Sequence, residues 1–184
     1  MSQKARKTKR SISGWRLKPI GWIRTPYKEK APHHGRESDK GDFRLVLDPE
    51  YAGGLDQLKQ FKYIYVIAYL HKSGKKYPIR VSPPWAKGKE VGVFASRSPQ
   101  RPNPIGLTIT RIKKIRGRQI HTTGLDLLDG TPILDIKPYI KDADVKSKAN
   151  NGWIRRNLNS PWAKQKKVSS RRYAVGRKKG SRSL

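Results

Sequence analysis

The run Lys62–Lys72, KYIYVIAYLHK, is apolar and rich in aromatic and β-branched residues, which predicts a central strand. Alternation puts Ile64, Val66, Ala68 and Leu70 on one face and Tyr63, Tyr65, Ile67, Tyr69 and His71 on the other. An aromatic stripe of this kind is more often packing than a ligand shelf. Leu17–Ile23 predicts an opening strand that stops at Arg24-Thr25-Pro26, and Phe43–Leu47 alternates as a second. Pro49–Gln60 places Tyr51, Leu55 and Leu58 at helical spacing, which predicts a short helix entered through Asp48. Val91–Ala95 predicts a further strand, and Leu107–Ile115 and Arg118–Leu125 a pair joined at Arg116-Gly117. The closing strand is Ile133–Ile140, with Leu134, Ile136 and Ile140 facing one way and Asp135, Lys137 and Tyr139 the other. Tyr27–Lys40 and Ser73–Glu90 are polar, turn-rich and without periodicity, so both read as loops.

Strands of irregular length, frequent turn signals and little helix indicate a mainly β fold, a small single-sheet β-barrel with short helices. No strand-turn-helix Gly-x-Gly-x-x-Gly is present, which argues against a Rossmann sheet.

Two dense turn clusters interrupt the later strands. Arg97-Ser98-Pro99-Gln100-Arg101-Pro102-Asn103-Pro104-Ile105-Gly106 contains three prolines, each fixing its own φ and extending the residue before it. Such a stiff loop presents Arg97, Arg101 and Asn103 with little ordering entropy left to lose on binding. Asp126-Leu127-Leu128-Asp129-Gly130-Thr131-Pro132 is an Asp-Gly turn closed by proline. Taken alone, clusters of this kind are usually only turns, and an Asp/Lys/Tyr face is usually only a solvated sheet face.

Charge narrows the field. The chain has 184 residues and a net charge of +30, which points to a polyanionic partner, nucleic acid above all. A ribosomal-type scaffold or a membrane-surface binder would share that charge. All acidic residues lie between Glu29 and Asp144, so both flanks are purely basic and read as solvated arms. The expected organisation is a basic N-terminal arm at 1–16, a β domain at 17–141 and a basic, aromatic C-terminal extension at 142–184. In that extension Arg155, Arg156, Arg171 and Arg172 are interleaved with Trp153, Trp162 and Tyr173, a composition suited to phosphates and unpaired bases. The alternative is that Trp153 and Trp162 anchor the segment on the β domain. No apolar run is long enough to span a bilayer. There is no cysteine, hence no disulfide, thiolate metal site or Cys nucleophile, consistent with a cytoplasmic protein. The adjacent pair His33-His34 lacks a metal-binding spacing, so no metal is expected.

FASRSPQRPNPIGL at Phe94–Leu107, followed by GLDLLDGTPILDIKPY at Gly124–Tyr139, closely resembles the TsaA-like (YaeB/TrmO) family. Ile20–Lys28, IGWIRTPYK, is similar to that family's opening strand, so the resemblance covers roughly 17–141 and neither tail. It implies a β-barrel, S-adenosyl-L-methionine as cofactor, tRNA as substrate and a homodimer with the cofactor near the subunit interface. It also implies cofactor contacts at Pro32, His33, His34, His71, Lys72, Arg97, Leu107, Asp126, Leu127, Leu128 and Asp129. Pro32 matches the family's short Pro-Arg-Gln-like element, whereas His33 and His34 match it by position alone. Among these, Arg97 would grip the cofactor carboxylate through two parallel hydrogen bonds.

The implied reaction is methylation of the exocyclic nitrogen of a threonylcarbamoyl-modified adenosine at position 37, beside the tRNA anticodon. A carbamoyl group withdraws that nitrogen's lone pair, so removing its proton would help. The face bearing Asp135 and Tyr139, with Lys137 between them and Arg101 and Asn103 nearby, is the expected acceptor side, with Arg101 and Lys137 toward RNA. The bland reading is that Lys137 merely compensates Asp135. A catalytically silent RNA-binding or ribosome-associated protein on the same barrel is the competing function. The intact loop motifs argue against it, since a bare RNA binder needs no cofactor pocket. A sensor or a small-molecule methyltransferase is the third reading, and the charge argues against it.

Overall fold

The computed structural model describes residues 16–154, apart from Lys75 and Lys87. Most of the N-terminal arm, with Arg155, Arg156, Trp162, Arg171, Arg172 and Tyr173, lies outside the described residues.

Among the described residues there are eight strands: β1 Gly21–Arg24, β2 Arg44–Leu47, β3 Tyr63–Tyr69, β4 Arg80–Val81, β5 Val91–Gly92, β6 Ile105–Arg116, β7 Gln119–Thr122 and β8 Pro132–Pro138. Six of them form one antiparallel sheet in the order β1-β2-β7-β6-β3-β8, which closes on itself where Gly21 and Trp22 pair with Ile133 and Pro132. The expected mainly β, non-Rossmann class is what is seen. The inward positions interlock as Ile23, Leu45, Ile64, Val66, Ala68, Ile120 and Ile133, all 0% exposed. Burying each of the isoleucine, leucine and valine side chains among them contributes about 1.5–3 kcal/mol. Toward one end the interior changes from aliphatic to hydroxyl-bearing, with Thr25, Thr108, Thr110, Thr122, Thr123 and Thr131 all buried. Their hydroxyls bond inward, Thr25 Oγ1 to the Leu127 carbonyl at 3.0 Å and Thr131 Oγ1 to that of Leu128 at 2.7 Å.

Strand direction decides where function sits. Neighbours alternate around the ring, so the connections β1→β2 (25–43), β3→β6 (70–104) and β7→β8 (123–131) all leave from the same end. The short β6–β7 turn and the β2–β3 connection occupy the other end. All the long loops bearing motif residues are therefore on one rim.

Three local expectations are corrected. Pro49–Gln60 is not one helix but two 3₁₀ segments, Pro49–Leu55 and Leu58–Gln60, separated where Gln57 takes a left-handed φ of 59°. Gly53-Gly54 weakens any α-helix there, although Leu55 and Leu58 still bury as the spacing predicts. The Val91–Ala95 strand is only Val91–Gly92, paired with Arg80–Val81 outside the ring, and the chain then turns through Val93–Ala95. In β8 the alternation slips. Ile67 faces Asp135 but Ala68 faces Ile133, a bulge that turns both Ile133 and Ile136 inward and leaves Leu134 as the extra residue. Ile140 lies beyond the strand and is exposed.

Candidate functional site

The three rim connections are stitched together by specific contacts. Gly35 and Gly124 lie backbone to backbone, since a Cβ on Gly35 would stand 2.6 Å from the Gly124 carbonyl oxygen. That approach sets His34 Nδ1 4.0 Å from Asp126 Oδ2. The Asp129 amide donates to the Tyr27 carbonyl at 2.7 Å, and Lys72 Nζ reaches the Lys28 carbonyl at 3.2 Å. At the end of β3 the Leu70 amide donates to the Pro104 carbonyl at 2.7 Å. The absent side chain of Gly106 leaves room for Leu70 and Leu127. Pro32-His33-His34, His71-Lys72, the start of β6 and the Asp126–Asp129 turn thus come to one rim from distant parts of the sequence. Burial, and secondarily the charge of Lys72, hold the His71 imidazole below its ordinary pKa, so it is neutral at neutral pH.

Within the turn the two aspartates differ. Asp126 Oδ1 is buried and has no hydrogen-bond partner, an orphan acceptor that a donating ligand would satisfy. Asp129 is engaged: its carboxylate accepts from Lys28 Nζ at 2.7 Å and from the Thr25 amide at 3.1 Å, with Arg24 3.8 Å away. Lys28 above all holds its pKa below the ordinary 3.8. A depressed carboxylate stabilises the fold above its ordinary pKa, and that contribution is lost as pH falls through the lowered value. Asp129→Asn keeps an acceptor for Thr25 but removes the charge. We expect a loss of about 1 kcal/mol at pH 7, modest because Lys28 is solvent-exposed, and a gap between variant and wild-type melting curves that closes as the solution is acidified below about pH 4.

The proline-rich loop is held from within. Ser96 Oγ donates to the Val93 carbonyl at 2.9 Å, and Arg101 Nη1 lies 3.2 Å from the carbonyl oxygens of both Ser96 and Ser98. Arg101 therefore knits its own loop. Arg97 and Asn103 are exposed, and no side-chain partner of Arg97 is found among the described residues. Trp153 Nε1 donates to the Ala95 carbonyl at 2.8 Å, so the start of the C-terminal extension is anchored just before this loop.

Outside the ring, Leu107, Ile67 and Asp135 stand side by side on β6, β3 and β8. Leu107 is 60% exposed, and Ile105, Ile109 and Tyr69 beside it are also open. Asp135 accepts from Lys137 Nζ at 2.8 Å, the compensating pair expected of a solvated face. Tyr139 stacks near Tyr65 and Tyr63, with ring centroids 5.5 and 6.4 Å away. Four residues of strand put it roughly 13 Å from Asp135, away from the loop rim. Sequence reasoning missed Thr25, Lys28, Gly35 and Gly124; their signal is the close packing of loops remote in sequence, which periodicity does not carry. Among the described residues no group of three or more His, Asp or Glu could hold a metal, and no helix is long and apolar enough to cross a membrane.

Among the described residues the strands form an antiparallel ring with no nucleotide-binding crossover, and three connections pack at one rim with an unsatisfied carboxylate oxygen in one of them, which makes this a non-Rossmann β-protein. The same chain matches the model of the tRNA-methyltransferase O N-terminal domain over residues 22–145, and it belongs to that family. It is 35% identical over 143 residues to a probable S-adenosyl-L-methionine-binding protein of Pyrococcus abyssi, covering 77% of each chain. It is 38% identical over 135 residues to the tRNA (adenine(37)-N6)-methyltransferase of Mus musculus, covering 68% of this chain and 31% of that one. A crystal structure of TrmO from Pseudomonas aeruginosa superposes with a TM-score of 0.62 at 32% identity, covering 75% of this chain and 62% of that one. The chain thus spans about a third of the mouse protein's length and under two thirds of the bacterial one's.

Proposed function

We propose that this protein is an S-adenosyl-L-methionine-dependent methyltransferase that acts on the exocyclic nitrogen of adenosine 37 in tRNA, with the threonylcarbamoyl-modified nucleoside as acceptor. The observation that carries the reading is the packing of three motif-bearing connections at one rim, with the orphan Asp126 Oδ1 in the turn that His34 approaches. Residues 17–141 form the catalytic unit, and we take its six-stranded ring as a small barrel.

S-adenosyl-L-methionine supplies, when bound, an activated methyl group on a sulfonium. The chain's residues hold and orient it. Arg97 grips the carboxylate, and Asp126 accepts from an amino or hydroxyl group. The carbonyls of Leu127 and Leu128 are already taken by Thr25 and Thr131, which leaves their amides to read the adenine edge. His71, Lys72, Pro32, His33 and His34 close the rim, and Leu107 offers apolar surface. Asp129 acts on this turn mainly through its bonds to Lys28 and Thr25. On the acceptor side Asp135 takes the proton from the target nitrogen, with Lys137 tuning it, Asn103 at the rim and Tyr139 further along the same face. Arg101, Lys137 and the arginines of the C-terminal extension, Arg155, Arg156, Arg171 and Arg172, face RNA. The protein works in the cytoplasm.

An apolar strip at Ile105, Leu107 and Ile109 beside cofactor-binding residues suits burial against a second copy, which would also shield the cofactor from water. The homodimer is read by sedimentation, as a species of twice the chain mass that Ile109→Glu dissociates. The function is tested with radiolabelled cofactor and tRNA bearing or lacking the threonylcarbamoyl group. Label is expected only in the modified tRNA, with Asp135→Ala and Tyr139→Phe slowed by at least about tenfold. Cofactor binding without transfer to either tRNA would defeat the proposal, and full activity in both variants would defeat the assignment of the acceptor side.

A further inference from the structure

The β6–β7 hairpin and the strands beside it carry a charge pattern that neither the cofactor site nor the family motifs use. Between Ile105 and Thr122 there is no acidic residue, while Arg111, Lys113, Lys114, Arg116 and Arg118 are all present. Register turns this composition into geometry. Arg24 pairs with Arg44, Arg44 with His121, and His121 with Lys114, so four adjacent strands place these side chains in one outward-facing row. At the usual strand spacing the row spans roughly 14 Å. The neighbouring row runs Trp22, Val46, Gln119, Arg116, and its tryptophan is 40% exposed.

Like charges set directly across a sheet are mutually unfavourable, so folding alone does not recommend this arrangement. The proximity registers on His121: burial first, then Lys114, keep it below its ordinary pKa, so the row carries three full charges at neutral pH. Asp42 answers Arg44 at 2.8 Å and Asp129 lies 3.8 Å from Arg24. Lys113, Lys114 and Arg116 have no carboxylate within ion-pair distance among the described residues. At the loop rim the row opens into a cleft of about 370 Å³ lined by Arg24, Thr25, Pro26, Lys28, Asp42, Arg44 and Asp129. Asp129 also belongs to the turn beside the orphan carboxylate, so the basic track is continuous with the candidate cofactor site.

We propose that the outer face of β1, β2, β7 and β6 is the track for the RNA sugar-phosphate backbone, with Lys114, Arg116 and Lys113 as its phosphate contacts and Trp22 as a stacking surface for an unpaired base. Charge spaced along one face with an aromatic between suits a single-stranded or loop segment. The apolar strip proposed for the dimer, Ile105, Leu107 and Ile109, occupies the rim half of β6, whereas Lys113, Lys114 and Arg116 lie at its far end beside the turn into β7, so a second copy seated on that strip leaves the phosphate contacts open. This inference rests on the tRNA reading above and adds where the RNA lies.

The test uses the full chain and a labelled anticodon stem-loop RNA, with dissociation constants measured across a salt series. Lys114→Gln/Arg116→Gln is compared with Lys141→Gln/Lys146→Gln, an equal loss of charge just beyond β8, the strand across the ring from β7. Two lost phosphate contacts should lower the slope of log Kd against log salt by about 1.4–1.8 and weaken binding about tenfold near physiological salt. The control pair should move both far less, and cofactor affinity measured by calorimetry should stay unchanged in both. If the two double variants shift alike, the track is not there. A wild type that methylates tRNA alongside a hairpin variant of undiminished affinity overturns this inference alone. A wild type that neither binds nor methylates tRNA overturns the proposed function and this inference with it.

Discussion

Arg97→Ala is expected to weaken S-adenosyl-L-methionine binding by about tenfold to a hundredfold while leaving the melting temperature of the free protein unchanged. The split follows from what Arg97 does and does not touch. Its side chain has no partner among the described residues, so removing it takes nothing from the fold. The loop that presents it is stiffened by three prolines, by Ser96 Oγ on the Val93 carbonyl and by Arg101 on the carbonyls of Ser96 and Ser98. A preordered guanidinium that closes two parallel bonds on a carboxylate contributes about 1.5–3 kcal/mol, which sets the expected range. Arg97→Lys keeps the charge and loses the fork, so it should fall between wild type and alanine. Arg101→Ala makes the contrast, because it releases the loop itself and should lower both affinity and melting temperature. Calorimetric titration with melting curves on the same samples reads all three. Unchanged affinity in Arg97→Ala would remove this residue from the site.

Most strands were legible because one-sided burial imposes a period of two on the sequence. β3 is the clearest: Ile64, Val66 and Ala68 are fully buried where the pattern sends them. The misses have local causes. Val91–Ala95 has strand composition but leaves the ring, and a run of five residues carries no information on what it pairs with. Ile133 is fully buried because a bulge at Leu134 reverses its side, a register event that strict alternation cannot register. At Pro49–Gln60 the apolar spacing was right and the helix type wrong, since Gly53-Gly54 and the left-handed Gln57 break the turn.

The site divides in the same way. Motif residues could be named because each motif is continuous in sequence, and the rim does bring three of them together. What they do within the rim depends on partners from elsewhere. Asp126 and Asp129 are alike on the page, yet Lys28 and Thr25 take up one and leave the other's Oδ1 unsatisfied. Arg101 and Arg97 are alike in the sequence, and only the folded loop shows that one of them also binds carbonyls of its own loop through Nη1. The cationic row from Arg24 to Lys114 is further from view still, assembled from four strands by register alone.

Gly124→Ala is expected to be the most damaging single methyl group that can be added near the rim. A Cβ there would run into the Arg36 carbonyl oxygen and come within 2.5 Å of Asp39 Oδ2, and neither can withdraw freely. The Asp39 carboxylate is held by the Arg36 amide at 2.8 Å, and the Asp39 amide returns a bond to the Arg36 carbonyl at 3.1 Å, so both obstacles belong to one closed turn. The 25–43 connection must therefore lift as a unit away from the β7→β8 turn, taking His34 from Asp126. Overpacking of this kind costs about 1–3 kcal/mol, several degrees of melting temperature for a domain this size. Cofactor affinity should fall by more than about tenfold, because the site loses the loop that carries Pro32-His33-His34. Gly53→Ala is the matched control: its Cβ would point into open space, and the variant should bind and melt as wild type. Wild-type melting and affinity in Gly124→Ala would mean that the two connections are not packed as described, and the rim would have to be rebuilt without their contact.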